Sequence, residues 1–432
     1  MSTEVHISRD TRVQHLYVSG LSGFGKTTLL HHMALDDMEQ DYGLTILDPK
    51  GGLVEQIINH IPPHRLNDVV YLDGISEVPL DLLRWVTNLE RSNLADDLMV
   101  IFERFSQSSA GDQWLSIMQW TVLTILEARG SFLDIYYFLT DDSEKAKILE
   151  RVKNEDIKKY WARGGQCEKL KGHSENSIIT RMAKFLLDPS IKAMLGTSTA
   201  KLHIPTLIAD NKIILVNLAK VGERAGNIIG TLLISQIQQA VFKRIPEHYG
   251  YPYYLYVDEF QDFKSPAFAQ ILRKARGFGL GLTLVSLHPK LLGDLIEDVK
   301  GCITSYVFFK TDAEHANPLK AKFSPFRPDD LWNLKPFEAI YRGEDPVAQL
   351  IHTDLPPDDP TLEQLDRAEF IRRNTINNYA VSSAQNCQKR NSESPSCDTE
   401  KDVLSLKHAA ASHEKPDPSP TGTEKPIPPH KG

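Results

Sequence analysis

The sequence predicts an α/β protein built on a mostly parallel sheet, interrupted by an all-helical segment. Three observations predict this. Short apolar strands alternate with helical stretches before about residue 88 and again from about 198 to 355. Between those limits the strand signals fade. A glycine-rich turn joins the first strand to the first helix.

The chain has 432 residues, 41% of them hydrophobic and 25% charged, which excludes fibrous and wholly disordered classes and leaves room for a sizeable core. Its formal net charge of -8 provides no global basic field, so any nucleic-acid contact must be local. Cys167, Cys302, Cys387 and Cys397 form no C-x-x-C pair and no short Cys/His spacing suited to zinc, and a reducing, cytosolic compartment fits them best. No apolar run approaches the roughly 18 to 20 residues that cross a bilayer, and MSTEVHISRDTRVQH is too polar for a signal peptide. The expected location is therefore cytoplasmic.

The elements follow in order. Gln14 to Ser19 reads as a β-branched and aromatic strand, and TTLLHHMALDDMEQ as a helix with apolar residues at helical spacing. Leu44 to Asp48 is a second strand, followed by the turn DPKGG, a helix from Leu53 to Ile61 and the strand Val69 to Leu72. These belong to a first portion, residues 1–87. The segment 88–197 contains LADDLMVIFERF, SIMQWTVLTILEA and EKAKILERVKNEDIKKYWA, three amphipathic patterns that predict an all-α insertion. Strands resume at Lys212 to Leu218, Tyr253 to Val257, Leu282 to Ser286 and Ser305 to Phe309, giving a second α/β portion over 198–355. Residues 356–432 read as a linker and disordered tail, rich in Ser, Pro, Lys, Glu, Asp and Asn from Val381 onward.

Gly20-Leu21-Ser22-Gly23-Phe24-Gly25-Lys26-Thr27 satisfies G-x-x-x-x-G-K-[ST] between a predicted strand and a predicted helix. Such a loop captures phosphate: its backbone N–H groups curl around the anion, and the following helix contributes unsatisfied donors and the positive end of its dipole. Lys26 adds charge at the β- and γ-phosphates, and the Thr27 hydroxyl is a ligand for Mg²⁺. The nucleotide contacts expected are Gly20, Ser22, Gly23, Phe24, Gly25, Lys26, Thr27 and Thr28. A glycine turn with a chance lysine is the bland alternative, and the flanking elements argue against it. The partner is YYLYVDEF, an apolar strand ending in Asp258, a carboxylate for the Mg²⁺, and Glu259, which would polarise the attacking water.

With both motifs placed, the chain resembles the FtsK/HerA superfamily of RecA-like P-loop motor ATPases, and within it the TraG/TraD-type coupling proteins of conjugative type IV secretion. The resemblance spans most of residues 12 to 345. It is carried by HLYVSGLSGFGKTTLL, GLTILDPKGGLVEQIINHIPPHRLNDVVYLD, VPLDLLRW, KIILVNLAKVGERAGNIIGTLLISQI, VDEFQDF and KARGFGLGLTLVS, in that order. It implies an ATP- and Mg²⁺-dependent ATPase that assembles as a ring, usually a hexamer, around DNA. It also implies type IV secretion or relaxosome proteins as partners, and through them a place at the periphery of the inner membrane. Many coupling proteins begin with transmembrane helices, whereas this chain starts almost directly at its first strand. By position Arg276 matches the basic residue that the family sends towards a neighbour's nucleotide, with Arg273 one turn away as a competing candidate. Gln261 would relay contacts from nucleotide to DNA.

The chain departs from the family pattern at several places. After the LTL strand it reads Val285-Ser286-Leu287-His288 where relatives have a strand-end glutamine. Phe309-Lys310 replaces Phe-Arg, and His315-Ala316 replaces Asp-Ala. Lys310 keeps the charge but loses the planar fork.

Several lesser signals keep two readings each. From Glu144 to Lys184 eleven Lys or Arg face six Asp or Glu, interleaved with Tyr160 and Trp161, so the segment is either a phosphate grip or a solvated helix face. Tyr251, Tyr253, Tyr254 and Tyr256 pack a strand or stack bases. Asp48 touches the Mg²⁺ site or caps the turn from Pro49 to Gly52. His31 and His32 are adjacent on a helix and point apart, which disfavours metal binding. Two functions remain open: a DNA-translocating ATPase, and a nucleotide-regulated assembly platform that hydrolyses little.

Overall fold

The computed structural model describes residues 5, 7–76, 78–105, 112–162, 165, 183, 186–198, 200–244 and 250–380. Cys167, Cys387 and Cys397, much of the basic segment before Lys184, and the tail from Val381 lie outside them. Among the described residues nine strands form one sheet: β1 Leu16–Ser19, β2 Gly43–Asp48, β3 Val69–Leu72, β4 Ile213–Asn217, β5 Tyr253–Val257, β6 Leu280–Ser286, β7 Ser305–Phe308, β8 Glu338–Arg342 and β9 Gln349–His352. Their order is β3-β4-β2-β5-β6-β1-β7-β8-β9.

The first seven strands pair in parallel and coincide with the seven expected from sequence. Helical connections cover both faces of such a sheet, so its strands are buried on both sides and read as continuous apolar runs. Leu16 and Val18 of β1 enter one apolar core, while Tyr17 between them enters the other. β8 and β9 add an antiparallel hairpin beside β7, and were not expected.

Between β3 and β4 the chain is helical, through Asn88–Phe105, Asp112–Glu127, Asp134–Thr140, Asp142–Arg151, Glu155–Trp161, Pro189–Leu195 and Ile204–Ala209. Side-chain caps start three of these: Asp141, Asn154 and Asp188 each accept from backbone N–H groups of the first turn. This helical segment shares its core with the sheet, since Leu98, Phe102, Phe132 and Phe138 belong to the cluster that holds Tyr17 and Leu255. Gln236, on the buried helix Glu223–Val241, donates to Leu82 O at 3.1 Å and Arg84 O at 2.8 Å, tying the strand-bearing part to the approach of the helical segment.

The stretch from residue 356, whose composition predicts a linker, contains the helix Leu362–Tyr379 instead. Thr361 and Gln364 form its capping box. Ala368 and Ile371 are buried, and the Thr375 hydroxyl accepts from Tyr71 N at 3.0 Å, so this helix covers the edge strand β3.

Candidate nucleotide site

The glycine-rich loop leaves the C-terminal end of β1 and turns into the helix Lys26–Glu39. Gly25 is the N-cap at φ 113°, a left-handed conformation that a β-carbon would strain. A β-carbon on Gly20 would lie 2.5 Å from Phe309 Cβ, so only glycine lets the loop pass this close to β7. Ser22, Gly23 and Thr27 are exposed, Phe24 is half-buried, and Gly20, Gly25, Lys26 and Thr28 are buried. The Lys26 ammonium donates to Gly20 O at 2.6 Å and Leu21 O at 3.0 Å. Burial pushes it down from the ordinary lysine range, against the opposing pull of Asp258 and Glu259.

Two strands from β1, with β6 between them, β5 delivers Asp258 and Glu259 to the same sheet edge. This brings the predicted nucleotide loop and the predicted carboxylates together. Burial first, then the charges of Asp48 and Glu259, push the Asp258 carboxyl up to about 7. Glu259 adopts a left-handed backbone (φ 46°, ψ 45°) and is 7% exposed. Its Oε1 is ion-paired with Lys50 and its Oε2 accepts from Gln261 Nε2 at 2.7 Å. Burial raises the Glu259 carboxyl, but the hydrogen bonds and charges of Lys50, Gln261 and Lys26 outweigh that and hold it below the ordinary range.

Asp48 caps the turn and also lies close enough to Asp258 to act on its charge. Its Oδ1 accepts from Lys50 N at 2.9 Å and Gly51 N at 2.7 Å, and its Oδ2 accepts from Val54 N at 3.0 Å, capping the helix Gly52–Asn59. Lys50, in the DPKGG turn, is the residue beside Glu259 that the sequence motifs do not single out. The available signal was a lysine in the turn that follows the strand beside β5.

The departures at His288 and His315 meet: their rings stack with centroids 4.1 Å apart and planes 13° apart. His288 follows β6, and burial, then His315, then Lys290 push it below the ordinary histidine range. Lys310 lies against aromatic rings, its Nζ 4.5 Å from the Trp332 centroid and 5.4 Å from that of Phe24 in the loop.

Arg276 lies elsewhere. It occupies the turn Ala275–Phe278 before β6, beside His15, at the sheet edge opposite the loop. The seven residues of β6 separate the two edges, about 20 Å at strand rise. The Arg276 side chain is exposed and makes no hydrogen bond or ion pair among the described residues, whereas Arg273 is held by both oxygens of Asp298 at 2.7 and 2.8 Å.

Among the lesser signals, Tyr253, Tyr254 and Tyr256 are buried strand residues, and only Tyr251 of the four is exposed. Tyr160 is buried, and Trp161 is half-buried, donates to Thr124 Oγ1 at 2.8 Å and has the Lys145 ammonium 4.6 Å from its ring centroid. Lys147, Lys158 and Lys159 pair with carboxylates three residues away. His31 is buried against His60, and no cluster of three or more metal-binding side chains occurs among the described residues. No helix of the described residues is long and apolar enough to cross a membrane.

No family profile and no curated protein matches this sequence. Its fold does match solved structures. The plasmid coupling protein TrwB in complex with ADP and Mg²⁺ superposes with a TM-score of 0.62 at 14% identity, covering 84% of this chain and 93% of that one. The unbound monoclinic form of the bacterial conjugative coupling protein TrwBdeltaN70 gives 0.62 at 13% identity, covering 83% and 91%. VirB4 of Thermoanaerobacter pseudethanolicus gives 0.54 at 11% identity, covering 81% and 91%. The fold is thus the one that the TraG/TraD-type resemblance implies, carried at identities where only the architecture is shared.

Proposed function

We propose that this chain is a Mg²⁺-dependent ATPase of the coupling-protein kind, a ring-forming motor, usually hexameric, that moves DNA in conjugation or type IV secretion. One observation carries the proposal: the loop with Lys26 and the pair Asp258 and Glu259 share one sheet edge, on the architecture of TrwB. TrwB has been solved with ADP and Mg²⁺ and with ATP and GTP analogues, which supports a nucleotide in the corresponding loop here.

The residues fit the ligands. Backbone N–H groups of the loop and of the first turn at Lys26, Thr27 and Thr28 would hold the phosphates, with Gly20, Ser22, Gly23, Phe24 and Gly25 shaping the cradle. Thr27 and Asp258 would hold Mg²⁺, which supplies positive charge that spreads over the phosphate oxygens. The raised Asp258 carboxyl suits this role, because a buried carboxyl that feels the charges of Asp48 and Glu259 gains most from a neighbouring cation. Glu259 takes a proton from water as the water oxygen bonds to the γ-phosphorus and the bond to the bridging oxygen breaks. Arg276, exposed at the far edge, would serve a neighbouring subunit. Secretion-channel or relaxosome proteins are the expected partners, and through them the periphery of the inner membrane is the expected location.

The assay is steady-state ATP turnover with and without DNA, in one salt condition. Wild type should be stimulated by DNA, while Lys26→Ala and Glu259→Gln should each lose at least about 100-fold, the scale of a lost general base or phosphate cation. Glu259→Gln should still bind nucleotide. A second reading, an assembly platform with little hydrolysis, is favoured by the engagement of both Glu259 oxygens. Nucleotide binding with turnover indifferent to Glu259→Gln would select it.

A further inference from the structure

We infer that Lys50 is a positioning residue that restrains Glu259, keeping basal turnover low while its ammonium holds the carboxylate. This rests on the ATPase reading above. To orient a water, Glu259 needs an oxygen directed at that water. Each oxygen already accepts within the protein, Oε1 from the Lys50 ammonium and Oε2 from Gln261, so any water would have to share an oxygen with one of them.

The geometry makes the lysine the removable partner. Its backbone is fixed, because Asp48 accepts from the N–H groups of Lys50, Gly51 and Val54. Its side chain reaches solvent, being 60% exposed against 10% for that of Glu259. The ammonium can therefore exchange its partner for water at little cost, while the carboxylate cannot leave the interior. Glu259 is further fixed by its left-handed backbone between β5 and the turn Phe260–Phe263. Release of Lys50 leaves the carboxylate in place with one oxygen freed.

The test is ATP turnover by the full chain with Mg²⁺ and no DNA, for wild type, Lys50→Met, Lys50→Arg, and Lys50→Met combined with Glu259→Gln. Lys50→Met should raise kcat roughly fivefold, the rate equivalent of about 1 kcal/mol, with KM for ATP within about twofold. Lys50→Arg keeps the ion pair and should stay near wild type. The double variant should be inactive, since the gain works through Glu259. A single cooperative melt, lowered only modestly by loss of the cation beside the buried carboxylate, would show that the fold is intact. If wild type hydrolyses ATP and Lys50→Met is unchanged or slower, the restraint is overturned. Turnover indifferent to Glu259→Gln in both backgrounds would instead overturn the ATPase reading beneath it.

Discussion

Asp258 is buried and feels the charges of Asp48 and Glu259, and its protonation sets a pH dependence. The folded chain holds its carboxyl up to about 7, well above the ordinary aspartate value, so between about pH 4 and 7 the folded state keeps a proton that the unfolded chain releases. Stability therefore falls as pH rises through that window and levels off above it. Asp258→Asn removes the term: without nucleotide it should stabilise the protein at pH 8 by on the order of 2 kcal/mol and change little at pH 4. Thermal melts at the two pH values check this, and equal shifts at both would contradict it. The same substitution should weaken Mg²⁺-dependent turnover. At this scale the loop and the Asp-Glu pair were legible because their chemistry requires fixed residue types at fixed spacing. Lys50 was not, because its role exists only once β2 and β5 lie side by side, which pattern reading does not resolve. Asp48 was ambiguous for the same reason: three N–H donors converge on it only after the turn has formed.

The elements divide by whether their burial is two-sided. Strands β1 to β7 have helices on both faces and announce themselves as apolar runs, so all seven were readable. β8 and β9 lie at the rim, and the exposed residues of β9 leave little periodic signal. The helix Leu362–Tyr379 was hidden because only a narrow stripe, including Ala368, Ile371 and Thr375, is buried in a polar sequence. That stripe nonetheless covers the outer strand of the sheet. Ile371→Ala should cost about 2–4 kcal/mol through lost burial and the cavity left against β3. Thr361→Ala, removing the cap, should cost about 1 kcal/mol. Chemical denaturation of both variants measures the difference, and an Ile371→Ala loss below that of Thr361→Ala would mean that the helix does not contribute to the sheet's core.

At the scale of the whole molecule the two ends of the sheet must be explained together. The loop and Glu259 occupy one edge, and Arg276 occupies the other, about 20 Å away along β6. Arg276 cannot stabilise charge on a nucleotide in its own loop. An exposed arginine that is unpaired among the described residues is suited to a nucleotide held by a second copy, whereas Arg273 is already held by Asp298. In the ring proposed above, with each loop facing the opposite edge of its neighbour, this becomes a rule about mixtures. Arg276→Ala alone should lose at least about 100-fold of turnover, and Glu259→Gln alone should lose as much. In an equal mixture, some Arg276→Ala subunits, each with an intact Glu259, receive Arg276 from a Glu259→Gln neighbour. Turnover should then exceed that of either variant by roughly tenfold, and Arg273→Ala in place of Arg276→Ala should give no such rescue because it is not inactive to begin with. The readout is ATP turnover after mixing under conditions that permit subunit exchange, with exchange confirmed independently by energy transfer between labelled copies. Mixtures no more active than their parts, with exchange demonstrated, would remove Arg276 from the neighbour's site.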